Sequence, residues 1–152
     1  MKKQKIFLCY TLRGADLTRA LLERFKRRMQ ATGFFEIYID VLDNNDNDNP
    51  QRYVMERLHD ADLFCVIHSK MIEHSEWVQK ELAAAESLGM SKVTLTVTQI
   101  KNFLDIKSDE EILICWKRFI MLSHHAEARS EALGYADCIE QLMTIRQTRC
   151  IA

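Results

Sequence analysis

Four short apolar runs, each followed by a stretch of helical character, leave this chain very few folds. The runs are Lys5-Ile6-Phe7-Leu8-Cys9-Tyr10, Phe34-Phe35-Glu36-Ile37-Tyr38-Ile39-Asp40, Ala61-Asp62-Leu63-Phe64-Cys65-Val66-Ile67-His68-Ser69 and Lys92-Val93-Thr94-Leu95-Thr96-Val97. Short runs rich in branched and aromatic side chains suit strands buried on both faces. Their alternation with helices predicts an α/β fold, a parallel sheet covered on both sides. Right-handed crossovers then leave only a handful of topologies.

The connecting segments carry the matching signals. Asp16 is expected to cap a helix that runs to about Thr32, with Leu17, Ala20, Leu21, Phe25 and Met29 as its buried stripe and Gly33 as its end. After Val41-Leu42 comes Asp43-Asn44-Asn45-Asp46-Asn47-Asp48-Asn49, a run of turn formers. Asp43, Asn45 and Asn47 alternate as in a calcium loop, but Asp48 stands where that loop needs glycine and Val54 where it needs glutamate. A loop over the sheet edge is the expectation. Asn49 and Pro50 then open a helix that reaches Asp60. Beyond Thr98 the pattern predicts a short helix over 100–106, helix or strand over 110–115, a fifth strand over 117–122 and a last helix over 130–148.

The stretch 75–89 has the clearest ends. Ser75 can cap its first turn, Glu76 suits the positive end of the helix dipole, and Gly89 suits a left-handed terminator. Trp77 and Glu81, four residues apart, share one helical face. Open α/β sheets bind their ligands at the carboxyl ends of the strands, where this helix begins. Two readings of the pair stand: a packed indole with one more solvated charge, or a pocket carboxylate behind an aromatic wall.

Composition removes several classes. At 152 residues, with 47% apolar and 28% charged side chains, the chain is expected to be a single globular domain over 1–152. A net charge of −1 gives no field for nucleic acid or an acidic membrane. Arg19, Arg24, Lys26, Arg27 and Arg28 crowd one helix without an aromatic platform between them, which reads as a solvated face. No apolar run approaches a membrane span, and no secretory apolar region precedes the first strand. The five cysteines are odd in number and lack paired metal spacing. Cys9 and Cys65 fall in buried strands, where a thiol acts as a small hydrophobe, and a reducing cytoplasm is expected. His124-His125 are adjacent, poor spacing for a metal, and no metal site is expected. GxGxxG, phosphate-cradling, GxSxG and HExxH motifs do not occur.

Four boxes in order, Ile6-Phe7-Leu8-Cys9-Tyr10, Tyr38-Ile39-Asp40-Val41, 61–69 and Ser75-Glu76-Trp77-Val78-Gln79-Lys80-Glu81-Leu82, resemble those of a Toll/interleukin-1 receptor (TIR) domain. The resemblance covers about residues 5–97 and points to the prokaryotic stand-alone type. It implies a flavodoxin-like, five-stranded parallel sheet. It also implies one of two roles: a signalling scaffold that self-associates, or an NAD nucleosidase that cleaves the nicotinamide–ribose bond to ADP-ribose or a cyclic ADP-ribose. Such a hydrolase would serve antiviral defence or immune-type signalling, work as a homo-oligomer, take NAD as substrate without a cofactor, and answer to a separate sensor or receptor protein. Glu81 matches the family's essential carboxylate. Arg13 matches a family loop residue that can approach the substrate; Phe7 and Tyr10 near the end of the first strand, Asp40 at the carboxyl edge of the sheet and Trp77 as a pocket wall are the other expected substrate contacts, each with packing or solvent exposure as its alternative. Two departures stand out: Cys9 replaces the usual box-one serine, and the 43–49 loop lacks the Gly or Pro of adaptor members.

The chemistry explains how one carboxylate could suffice. Nicotinamide departs from NAD as a neutral base, so no general acid is needed. The oxocarbenium-like ribose left behind is what an anion must stabilise, electrostatically or as a transient nucleophile. A nucleoside deoxyribosyltransferase, a related sheet fold with a glutamate of its own, is the third reading.

Overall fold

The computed structural model describes residues 2–44 and 48–128. The chain divides into two compact units, Met1–Asp105 and Ile106–Ala152.

The first unit is a parallel sheet of four strands, β1 (Gln4–Cys9), β2 (Phe35–Tyr38), β3 (Leu63–His68) and β4 (Lys92–Thr96), in the order β2-β1-β3-β4. The register sets Ile6 beside both Ile37 and Leu63, Cys9 beside Val66, and His68 beside Thr96. Helices α1 (Arg19–Ala31), α2 (Asp40–Asp43), α3 (Pro50–Asp60), α4 (Glu76–Ser87) and α5 (Val97–Leu104) connect and follow the strands.

Alternation along β1 sorts the core into two layers. Phe7 and Cys9 face a cluster with Val54 and Leu58 of α3 and Val78 and Ala85 of α4. Ile6 and Leu8, almost fully buried, take the other face. Helices α1 and α5 pack together, with Phe25 and Phe103 edge to face at 6.4 Å. Because both faces are covered, β1 and β3 read as nearly continuous apolar runs.

Local chemistry sets the helix ends. Ser75 Oγ accepts the Val78 N–H at 3.3 Å, the expected cap of α4. Gly89 follows α4 with φ +65°, a conformation that costs a side-chain-bearing residue more. Asn49 caps α3 and Pro50 opens it, also as expected. Helix α1 starts later than Asp16. Thr18 Oγ1 accepts the Leu21 N–H at 3.1 Å, while the Asp16 carboxylate accepts the Lys70 N–H at 2.8 Å. Ala20 is exposed, and the buried stripe is Leu21, Leu22, Phe25 and Met29. Strand β2 is shorter than its apolar run, because Asp40 already begins the single turn α2.

The expected fifth strand is a correction. Residues 117–122 lie inside α6 (Asp109–Ala128), and the described residues contain four strands. Among the described side chains of α6, Ile112, Cys115, Trp116, Phe119 and Ser123 are buried. That is helical spacing, and Trp116 and Phe119 meet at 5.8 Å between ring centroids. Ser108 Oγ accepts the Glu111 N–H, and Asp109, Glu110 and Glu111 fill the first turn. Six apolar and basic residues matched a strand only when taken without the turns before them. Asn45 and Asn47 of the calcium comparison, and the expected helix at 130–148, lie outside the described residues. No described helix is long and apolar enough to cross a membrane.

Candidate functional site

The order β2-β1-β3-β4 means that the chain leaves β1 toward one edge and returns on its other side with β3. The crevice beyond the carboxyl ends of β1 and β3 is therefore the topological switch point, where such sheets bind ligands. The loops that leave these strands are tied together. Arg13 Nη1 donates to the His74 carbonyl at 3.2 Å, and Asp16 holds the Lys70 N–H. Gly14 sits close to Met71, and a Cβ there would come within 2.8 Å of Met71 Cγ. A cleft of about 420 Å³ lies at this junction, lined by Arg13, His74, Ser75, Glu76, Trp77 and Lys80.

Glu81 lies one turn beyond Trp77 in α4. Three side chains of this helix are buried, Val78, Glu81 and Ala85, and Val78 and Ala85 belong to the cluster that holds Phe7 and Cys9. The same face thus carries a carboxyl that is only 3% exposed. Burial is the main cause that raises its pKa to about 7; the Asp40 charge pushes the same way, and the polar groups of Cys9 and Trp77 oppose it. No cation is among the groups that act on it. A buried carboxyl without a cation is costly to keep, and carboxyls perturbed in this way cluster at functional sites.

The neighbouring aromatics and acids form one network. The Tyr10 hydroxyl accepts the Val41 N–H at 2.7 Å. Burial pushes this phenol up, and the Asp40 and Glu81 charges add to it. Tyr38 donates to Asp40 Oδ1 at 2.8 Å, and Asn44 Nδ2 donates to the same oxygen at 2.8 Å. Asp43 pairs with Lys26 and accepts the Ile39 N–H, which completes the α2 turn. Asp40 is thus a half-buried, doubly bonded carboxylate whose charge is felt by Glu81.

The residues singled out from the sequence divide accordingly. Glu81, Tyr10 and Asp40 form one electrostatic group, with Trp77 one turn before Glu81 on α4. Arg13 and Trp77 share the cleft. Phe7 does not join them: its ring is fully buried, stacked with Tyr38 at 5.2 Å and Phe64 at 5.7 Å, so no face of it is open to a ligand. Cys9 was legible only as a small strand hydrophobe.

Such a site can exchange a proton near neutrality, or present an anion in a low-dielectric setting where positive charge develops. The family model described as TIR domain matches residues 6–113, most of the chain. No curated protein matches the sequence. Boxes, sheet order and matched range agree, and the chain belongs to the TIR domain family.

Proposed function

We propose that this protein, acting as one domain over residues 1–152, is an NAD nucleosidase that cleaves the nicotinamide–ribose bond and releases ADP-ribose or a cyclic ADP-ribose. The observation that carries the reading is the buried Glu81 carboxyl, without a cation and one turn beyond the wall residue Trp77 on α4. In the proposed reaction the C–N bond breaks and its electron pair leaves with nicotinamide as a neutral base. The ionised Glu81 carboxylate offsets the charge of the oxocarbenium-like ribose. Water then attacks the anomeric carbon in hydrolysis; a nitrogen or hydroxyl of the same molecule attacks it in cyclisation. Trp77 offers a flat apolar wall, and Arg13 and Lys80 offer cations for the diphosphate in the adjoining cleft. The pyridinium itself favours ionisation of a carboxyl beside it, so binding primes the group.

A non-catalytic scaffold that works through TIR–TIR assembly is the second reading. It is favoured by the closure of Glu81, which does not line the 420 Å³ cleft. Assembly would then be either the whole function or the step that opens the carboxyl to substrate. The test is NAD consumption by wild type and Glu81→Ala, each at dilute and at crowded protein concentration. Glu81-dependent loss of NAD, steeper when crowded, is the expected result. Self-association without any loss of NAD would select the scaffold. Release of free base from a deoxynucleoside, with NAD untouched, would select the deoxyribosyltransferase.

A further inference from the structure

We infer that the cleft along the edge strand β2, between α1 and α3, is a binding site for a small oxyanion ligand, a phosphate or a carboxylate, held by Arg57. This site is separate from Glu81, and the inference stands whether or not the protein consumes NAD.

The cleft holds about 390 Å³, within the range of small-molecule sites. Strand β2 lines it with Glu36, Ile37 and Tyr38, and α3 with Tyr53 and Arg57. An exposed sheet edge commonly takes an added strand, but here the main-chain donors are spent. Gln30 Oε1 accepts the Ile37 N–H at 3.0 Å, and Asp43 Oδ2 accepts the Ile39 N–H at 2.7 Å. The edge is closed to a strand, while the space beside it is open to a small molecule.

Pairing, not net charge, sets the chemistry of that molecule. Lys5, Lys26 and Arg57 line the cleft together with Glu36, Asp43 and Asp60, so its charges balance. Lys5 is held by Asp60 at 2.9 Å, and Lys26 by Asp43. Arg57 makes no ion pair among the described residues. Its guanidinium lies over the Tyr53 ring, 5.2 Å from the centroid, and its Nε is shut off from solvent without a hydrogen-bond partner. Glu36 is exposed, and solvent satisfies it. The unmet demand in the cleft is therefore for an acceptor at Arg57.

An oxyanion meets that demand best. The flat fork of arginine donates from Nε and one Nη together to two oxygens of a phosphate or carboxylate. A small turn of the half-buried guanidinium toward the cleft brings Nε to such an acceptor, with Tyr53 beside it. Lys5 adds a second cation. Its pair with Asp60 is partly exposed, at 35% and 50% of the two side chains, a setting in which an ion pair contributes little and exchanges partners readily.

The Arg57 Nε–H is its own probe. Its ¹⁵N–¹H signal in the labelled full-length protein, assigned with Arg57→Lys, is followed while inorganic phosphate or benzoate is added, with sodium chloride at equal ionic strength as the control. The signal should move saturably with at least one probe, with half-saturation at about 1 mM or below, and should not move with chloride. Response to phosphate alone assigns a phosphate ligand, and response to benzoate alone a carboxylate. In Arg57→Lys, which keeps the charge and loses the fork, binding read at the Tyr53 and Glu36 backbone amides should weaken about tenfold. No saturable movement at about 20 mM of either probe overturns the inference, as does equal movement with chloride or unchanged affinity in Arg57→Lys. A response at the Arg13 Nε–H with none at Arg57 overturns it too, because the anion then occupies the cleft beside Trp77.

Discussion

The Tyr10 hydroxyl accepts the Val41 backbone N–H at 2.7 Å, and this one bond ties the carboxyl end of β1 to the turn α2. It joins the two sequence boxes that hold Cys9 and Asp40, and it holds a half-buried phenol that feels the charges of both Asp40 and Glu81.

Tyr10→Phe keeps the ring and removes the acceptor. The Val41 N–H is then left to water, at a cost of about 1 kcal/mol in stability. Amide hydrogen exchange should quicken at Val41 and its neighbours in α2, while β3 keeps its protection. Unaltered exchange at Val41 would mean that the turn does not depend on the bond.

Glu81 carries a stability cost whose sign follows from its environment. Its folded pKa, about 7, lies above the ordinary glutamate value of 4.5. The folded state therefore holds the proton more tightly, so its stabilising effect is complete below about pH 4.5 and is lost as pH rises through about 7. Above that range the wild type gives up on the order of 3 kcal/mol. Glu81→Gln does not ionise. Chemical denaturation at pH 5 and pH 8.5 should show the variant gaining on wild type at the higher pH. A stability difference that does not vary with pH would place Glu81 in solvent.

The same ionisation sets a limb on turnover. If the anion is the working form, kcat/KM for NAD should rise with pH and reach half its plateau near pH 7, the value for the free carboxyl. The limb in kcat should lie lower, because the bound pyridinium favours the charged form. A pH-independent rate between 5 and 9 would remove Glu81 ionisation from the mechanism.

Phe7 belongs to the core, and its loss should read as a core loss. It is wholly buried between Tyr38 and Phe64. Phe7→Ala should destabilise by about 3–5 kcal/mol through lost contacts and a cavity. Equilibrium unfolding measures this. A cost below about 1 kcal/mol, the range of an exposed substitution, would put the ring back at the surface.

The legible parts of the fold are those in which local and tertiary preferences agree. The apolar runs of β1 and β3 permit little but a doubly covered strand, and Ser75 and Gly89 mark the ends of α4 through their own backbone chemistry. The 117–122 segment was misread because six residues hold less than two helical turns, too few to separate a period of 2 from one of 3.6. The Ser108 cap and the Ile112–Trp116–Phe119 spacing decide it. Asp16 was misread for another reason: its cap chemistry is genuine, but Lys70, far along the chain, claims the carboxylate.

The sequence by itself determined the alternation of strand and helix, the α4 caps and the pairing of Trp77 with Glu81 on one helical face. These depend on neighbours within a few residues. Only the tertiary structure decided that Glu81 is buried, that Asp40 opposes its charge, and that Phe7 is core. A carboxyl's pKa and a ring's exposure are set by what packs against them. Here the packing residues come from β1, α2 and α4, joined only when the crossovers bring the carboxyl end of the sheet together.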